Sequence, residues 1–411
     1  MKQLTTLADA VETVLSAVRP METEKVPLAE AHGRIAGTDI ESMDDVPGFP
    51  NSAMDGFAFR HRDLGRGGGA RLRVVGDIPA GSVAERGLAA GEAMRIMTGA
   101  PLPDGADTVV QVEHTSEDGD AVTVEQPIAP GANVRAAGED LRVGTRVVER
   151  GRVLRAADLG LLAAAGVADV PVARRPRVAI LATGSELVDP GEPVGPGLIR
   201  NSNGFTALGQ VLEAGAVPVP LGVARDDRDV TRKLLEKALQ YDVVITSGGV
   251  SVGDYDFVKA VQEELGVDRK FWGVRVKPGK PMTFGTCGGS LVFGVPGNPV
   301  AAMTSFEVFV RPSLLAMTGR PDVWRPWFPA SASEPVVPSR ERAELRRCHI
   351  AGGPERSFSL TGAQGSGILS SMALADGLVL VPSGYAGAPA GERLPVMALE
   401  GNSAERPPFP S

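Results

Sequence analysis

Cysteine is nearly missing from this sequence. Cys287 and Cys348 are the only two in 411 residues, too few for a disulfide framework and consistent with a cytoplasmic setting. They match no nucleophile motif. Histidine is almost as scarce: His32, His61, His114 and His349 fall at no metal-ligand spacing, and the Cys348–His349 neighbours do not form a dyad pattern. No uninterrupted apolar stretch is long enough to span a bilayer, and MKQLTTLADAVETVLSA at the start lacks the basic segment, apolar run and small-residue cleavage site of a signal peptide. An excess of positive charge is missing too. The net charge of −8 argues against a nucleic-acid binder, whose phosphate recognition would show as a basic surface. The expected partner is a small molecule or another protein.

What the chain does have is glycine and proline, 51 and 33 of them, without a collagen-like period, which calls for many turns and short strands. With 43% hydrophobic and 22% charged residues it is a folded globular sequence, too long for a single core, so about two to four domains are expected. Thr5 to Ser16 has helical periodicity through Leu7, Val11, Val14 and Leu15. Between Asp44 and Gly138 the signals change to short β-rich runs (Arg71–Val75, Thr108–Val112, Val122–Glu125) broken by Pro and Gly. Helical periodicity returns at Ala156–Val167, so the β-rich part is an insert and the pieces flanking it form one helical unit. From Arg177 strands and helices alternate, which predicts a parallel sheet covered on both faces. The strands are RVAIL, VPVPLGV, DVVIT and LVFGV; the helices lie at FTALGQVLEAG, Val230–Leu239, Phe257–Leu265 and Val300–Met317. Beyond Pro326 the chain is β-rich again, with LVLVP at Leu378–Pro382 as its clearest strand.

Ligands of open α/β sheets bind beyond the carboxyl ends of the strands. Three unusual loops fall there: ATGSEL (Ala182–Leu187), SGGVSVGDYDF (Ser247–Phe257) and PGNPV (Pro296–Val300). Each carries glycine and leads toward a helix, so free N–H groups and the helix end can hold an oxyanion. A single such loop is more often just a tight turn. KPGKP (Lys277–Pro281) adds two ammonium groups, notable because only eight of the 42 basic residues are lysine, although a solvated basic turn explains it equally well. Glu186, Asp226, Asp227, Asp254 and Asp256 put carboxylates on the same edge. Oxyanion cradle and carboxylates are both needed where a phosphate is held with Mg²⁺, which takes one or two carboxylates and keeps several waters. For any one of these acids a helix N-cap is the commoner fate, and Asp254 is best placed for it.

NSAMDGFA (Asn51–Ala58), TGAPLPDGAD (Thr98–Asp107), LATGSEL, RNSNG (Arg200–Gly204), SGGVSVGDYDF, KPGKP and GVPGNPV together resemble the MoeA family, the molybdopterin molybdenumtransferases, related to the E domain of gephyrin. The resemblance runs in order from the first helix to GSGILSSMALADG at Gly365–Gly377. It implies a helical linker domain (1–43 with 139–174), an inserted β-rich lid domain (44–138), a central α/β molybdopterin-binding domain (175–325) and a C-terminal β-barrel-like domain (326–411). The implied reaction inserts molybdate into adenylyl-molybdopterin, with Mg²⁺-dependent release of AMP, in a cytoplasmic homodimer whose cleft joins the α/β domain of one subunit to the insert of the other. Transient contact with other enzymes that make or receive the molybdenum cofactor is implied; nucleic acid and membrane are not.

Carried over by position, the resemblance implies catalytic roles for Asp55, Thr98, Glu186, Asp226, Asp256, Lys277 and Lys280. It places Thr183, Gly184, Ser185, Ser247, Gly248, Gly249, Ser251, Pro296, Asn298, Pro299, Arg347 and Ser366 around the pterin and its phosphate, with Glu186, Asp226 and Asp256 at the metal. Arg346 is the alternative to Arg347. Some members have a lysine where this chain has Gly273; either Arg275, two residues on, substitutes for it, or the anion relies on Lys277 and Lys280. Two alternatives stay open: an adenylyltransferase of the same pathway, and a non-catalytic scaffold using the same cleft.

Overall fold

The computed structural model describes residues 4–65, 68–249, 257–339, 341–353 and 355–410. Its centre is a six-stranded sheet, in spatial order Val217–Ala224, Arg177–Thr183, Val243–Ser247, Ser290–Val295, Thr283–Cys287 and Asp268–Trp272. The first four strands are parallel, as the alternating pattern predicts. The last two are antiparallel, so the sheet is mixed rather than wholly parallel. The cause is local: Gly288 (φ +57°) and Gly289 (φ +100°) make the two-residue hairpin between TFGTC and SLVFGV. Two positive-φ residues in succession match the twist of a tight hairpin, which only reverses the chain.

Alternation along Arg177–Thr183 sends Val178 and Ile180 to one face and Ala179 and Leu181 to the other, all nearly inaccessible. Helices Leu7–Ser16, Ser202–Glu213 and the long helix from Pro299 cover the first face; Arg228–Ala238 and Phe257–Glu264 cover the second. The long helix runs to Met317 through a π turn at Phe306–Val310, just before Pro312, which has no N–H to continue the ladder. By length (19 residues) and mean hydropathy (1.3) it passes for a membrane span, but 89% of it is buried inside the protein, with Glu307 and Arg311 on it. It is a core helix.

Strand Thr23–Pro27 pairs with Asp169–Ala173, and residues on both sides of the insert, among them Val26, Ile40, Leu141, Leu162 and Val170, share one core. The first helix is not part of it. Leu7, Ala10, Val11 and Val14 pack instead in the α/β core with the long helix, which corrects its expected place beside the Ala156 helix. The physical reason is that its apolar stripe meets Phe309, Leu314 and Trp324 there, a larger apolar surface than the short Ala156–Ala164 helix offers. The insert is a six-stranded sheet whose strand Gly56–Phe59 is buried on both faces, Phe57 and Phe59 on one and Ala58 on the other. In the C-terminal part, strands Ala343–Ala351, Ser357–Leu360, Trp327–Ala332, Arg393–Ala398 and Gly377–Val381 pair in that order, and the last pairs back to the first. That closes a five-stranded barrel, and Val276–Lys277 of the KPGKP segment joins its rim beside Ala343.

Phe293, 0% exposed on a central strand, stacks on Phe284 at 5.0 Å. Phe293→Ala is expected to destabilise the α/β part by about 3–5 kcal/mol. A urea melt whose first transition does not move to lower denaturant would contradict this placement of the core.

Candidate active site

Thr183 ends the central strand, and its buried Oγ1 donates to the Ser247 carbonyl at 3.2 Å, tying the first loop to the second. Gly248 (φ +87°) and Gly249 (φ +64°) then turn away in a conformation that L side chains rarely adopt. A Cβ on Gly248 would stand 2.6 Å from the Thr183 carbonyl oxygen, and a Cβ on Gly297, in the third loop, 3.9 Å from Gly248 Cα. Three loops thus meet here, with no room for a side chain at Gly248 and Gly297 in ordinary van der Waals range of it. Asn203 locks them: its Nδ2 donates to Ser247 Oγ at 2.7 Å and to the Gly297 carbonyl at 2.8 Å, while its Oδ1 is buried and unpartnered. Asn201, two residues before, caps the helix by accepting from Gly204 N at 2.9 Å. The RNSNG stretch was legible as a motif, but the locking role of Asn203 was not. A cavity of about 270 Å³ opens at this junction, lined by Thr183, Glu186, Asn203, Ser247, Gly248 and Pro299 among others.

The acids separate into two kinds. Asp227 is an N-cap, accepting from Val230 N at 2.9 Å. Asp226 is not. Its Oδ2 accepts from Ser185 N at 3.3 Å and its own N–H donates to Ser185 Oγ at 3.0 Å, so it buttresses the first loop. Glu186 folds its carboxylate back over Gly184 (φ +141°), where any Cβ would collide with it. Both are exposed; Glu186 lines the cavity, and Asp226 stands behind it, bonded to Ser185. Ser251, Asp254 and Asp256 lie outside the described residues. Among the described residues no three His, Cys, Asp or Glu side chains gather as a metal centre. Two exposed hard oxygen donors nevertheless fit Mg²⁺, which is bound by one or two carboxylates, substrate phosphate and water.

In the insert, Thr98 donates to Asp55 Oδ1 twice, from its N–H at 2.7 Å and from Oγ1 at 2.6 Å. The hydroxyl bond, with the backbone bond behind it, holds the Asp55 carboxyl below the usual carboxylate range. Among the described residues no hydrogen bond or ion pair joins residues 51–135 to residues 177–317. Within one chain the Asp55–Thr98 pair and the cavity are separate.

This division of parts is found in known proteins. The chain matches, in order, the MoeA N-terminal region (domain I and II) over residues 5–166, a probable molybdopterin binding domain over 179–316 and the MoeA C-terminal region (domain IV) over 329–399. It is 38% identical over 401 residues to molybdopterin molybdenumtransferase 2 of Mycobacterium tuberculosis, covering 95% of this chain and 97% of that one. The chain belongs to the MoeA family. To the molybdopterin molybdenumtransferase of Nostoc sp. it is 36% identical, over 92% of this chain and 89% of that protein. A crystal structure of the molybdopterin biosynthesis MoeA protein from Pyrococcus horikoshii superposes with a TM-score of 0.86 at 34% identity, over 97% and 100% of the two chains.

Against the positions that the family resemblance implied, the structure is selective. Arg347, 1% exposed, donates to Ser371 Oγ and to the carbonyls of Ala363, Gln364 and Gly365 at 3.0–3.1 Å. It holds a loop instead of facing a ligand. That loop reaches the site, since Ser366 O accepts from Val300 N at 3.1 Å and Gly367 lines the cavity. Arg346 turns elsewhere, to Glu344 Oε2 at 2.8 Å and the Val337 carbonyl at 2.8 Å. Lys277 and Lys280 are exposed and stand outside the cavity lining; Lys277 Nζ donates to Glu344 Oε1 at 3.1 Å. Burial raises the Glu344 carboxyl, but its bonds from Arg346 and Lys277 outweigh this and hold it below the usual range. Pro296 is buried, and Asn298 and Pro299 start the long helix, Asn298 O accepting from Ala302 N at 2.9 Å. Gly273 has φ +87°, and a Cβ there would lie 2.6 Å from Leu4 Cδ2, so a lysine at this position would be strained by the backbone conformation and would displace the Leu4 side chain; Arg275, exposed, is the nearby cation.

Thr98→Val removes the hydroxyl bond to Asp55 and keeps the backbone one. The titration midpoint of the Asp55 carboxyl, followed by carboxyl carbon NMR, is expected to rise toward the ordinary aspartate value. An unchanged midpoint would remove the hydroxyl from the account.

Proposed function

We propose that this MoeA family member is a cytoplasmic transferase that inserts molybdate into adenylyl-molybdopterin, releasing AMP and forming the molybdenum cofactor. The observation that carries the proposal is the junction of Thr183, Gly248 and Gly297, a backbone-lined cavity at the carboxyl ends of parallel strands. Close approach of the backbone at such a junction suits the phosphate of the pterin, and Asn203 Oδ1 offers the pterin an acceptor already stripped of water. The match to all three family regions favours this reading over a stand-alone adenylyltransferase.

Glu186 and Asp226, with Asp256 beyond the described residues, would hold Mg²⁺. When bound it would neutralise charge on the phosphoanhydride that is hydrolysed to AMP and the pterin phosphate. The chain's own contribution is positional. Ser185, fixed to Asp226, keeps Glu186 at the cavity edge. Lys277, Lys280 and Arg275 supply positive charge for the molybdate dianion, whose oxygen ligands the dithiolene sulfurs replace. Catalysis is by position and charge, with no covalent intermediate on the protein: Cys348 is buried and its thiol pushed up to about 12 by burial, far from a reactive thiolate.

The cavity is completed, in this reading, by the insert of a second copy bringing Asp55 and Thr98. Apolar side chains are exposed on both surfaces concerned, Phe49 and Met54 beside Asp55, Ile199 and Phe205 beside the cavity. The decisive experiment is AMP release from adenylyl-molybdopterin, with and without molybdate and Mg²⁺, for wild type, Asp55→Ala and Lys277→Ala. Molybdate-dependent release is expected, falling by at least about tenfold in Asp55→Ala (about 1.4 kcal/mol in the barrier) and falling in Lys277→Ala chiefly when molybdate is scarce. ATP consumption without AMP release would favour the adenylyltransferase, and neither activity the scaffold.

A further inference from the structure

We infer that a small tetrahedral oxyanion of the phosphate class binds in a second cavity, at the amino ends of the strands and so on the edge opposite the candidate active site. The cavity, about 160 Å³, is lined by Arg34, Arg175, Arg311 and Arg320 against a single acid, Glu213. Arg175 lies two residues ahead of the strand that begins at Arg177, and Gly215, also in the lining, two ahead of the strand that begins at Val217. The volume is little more than half that of the candidate active-site cavity and suits one phosphate-sized group.

Four guanidiniums in one small cavity need an explanation. Arg320 has one in Asp322, which it grips through two bonds of 2.9 and 2.7 Å, and Arg34 has one in Glu24. Arg311 is 4% exposed, shares Glu307 with Arg325 at 3.9 Å against 2.8 Å, and donates through its terminal nitrogens to Asn402 Oδ1 and the carbonyls of Val323 and Gly401, while Arg34 also donates to the Ala173 carbonyl at 3.0 Å. Arg175 has no hydrogen-bond or ion-pair partner among the described residues. Moreover, Arg34 Nε and Arg311 Nε are buried donors with no acceptor. Helix ends are the usual reason for such cations, since helices Ser202–Glu213 and Arg311–Met317 both finish here. They do not account for these. The last carbonyls are taken by backbone N–H groups, those of Gln210, Val211 and Leu212 by Ala214, Ala216 and Gly215, and those of Leu315, Ala316 and Met317 by Thr318, Gly319 and Met21.

What remains is an excess of positive charge, the Arg175 guanidinium without a partner among the described residues, and two unmade Nε donors, around a space of one oxyanion. Burial, then the neighbouring Arg325, pushes Arg311 down to about 10, and burial, then Arg34, lowers Arg175, as expected where cations face one another without enough anions. Guanidinium forks match tetrahedral oxyanions bidentately, and such bonds are the strong ones. The anion would be held jointly by residues 33–35 and 173–175 of the linker region, 213–215 and 311–320 of the α/β part, and Asn402 of the C-terminal tail, so it would brace three parts of the chain against each other.

The test is thermal unfolding of the full chain in inorganic phosphate, against sodium chloride of equal ionic strength, for wild type, Arg175→Ala and Asn203→Ala. Arg175 is exposed and unpaired, so its loss leaves the fold intact. Expected is a saturable rise in Tm with phosphate in wild type and in Asn203→Ala, with the half-saturating concentration raised at least about tenfold in Arg175→Ala (about 1.4 kcal/mol). No saturable rise beyond the chloride control would overturn the site. So would a rise kept in Arg175→Ala and lost in Asn203→Ala, because phosphate would then be binding the active-site cavity.

Discussion

The whole arrangement depends on how closely three strand ends can approach. Neighbouring parallel strands stand about 4.8 Å apart, so the loops that leave adjacent strands have a strip only that wide to share. Gly248 can lie over Thr183 because it carries no Cβ, Gly297 comes within van der Waals range of it, and Gly184 leaves room for the Glu186 carboxylate. A side chain at Gly248 would force the second loop outward and release Thr183 Oγ1 and Asn203 together. The cavity follows from that approach, and so does its lining, which is mostly backbone and short polar groups.

Much of this was legible because it is written in periodicity. Helix Ser202–Glu213, helix Arg228–Ala238 and the four parallel strands fall where alternation and helical spacing put them, since each buries a continuous apolar face. The Gly288–Gly289 hairpin was missed although it was written locally, because strand–helix alternation drew attention away from a strand pair with no helix between them. Closure of the barrel is implied by the family resemblance and not by any local pattern. It depends on Gly377–Val381 returning to Ala343–Ala351, a pairing of distant residues that no local pattern encodes. Side-chain targets were similarly hidden: Arg346 and Arg347 are adjacent and alike in sequence, and only the strand's alternation sends one to Glu344 and the other to the loop at Ala363–Gly365.

The charges show a consistent economy. The acids at the first loop are exposed; Asp226 accepts from a backbone N–H, and neither Asp226 nor Glu186 has an ion-pair partner among the described residues. Lys277, by contrast, already has Glu344, which is 14% exposed and held by Arg346 as well. An incoming oxyanion must therefore compete with a carboxylate for that ammonium. Lys277 sits at the barrel rim through Val276–Lys277, and the loop held by Arg347 reaches back to Val300. The C-terminal part is thus a wall of the site.

Asp55 sets the remaining problem. As a turn residue it needs one oxygen to cap Thr98 N, and Oδ1 does this at 2.7 Å. The turn does not need the Thr98 hydroxyl, which doubles the bond on the same oxygen and leaves Oδ2 without a partner among the described residues. Two donors on one oxygen keep the carboxylate ionised and fix its plane while its other oxygen points to solvent. That is a poor use of a structural acid and a good one for a group meant to meet something outside its own chain. Exposed Phe49 and Met54 flank it, so a surface that covers them would also receive the free oxygen. In the proposed reading the turn and the cavity are two halves of one site, which a second copy brings together.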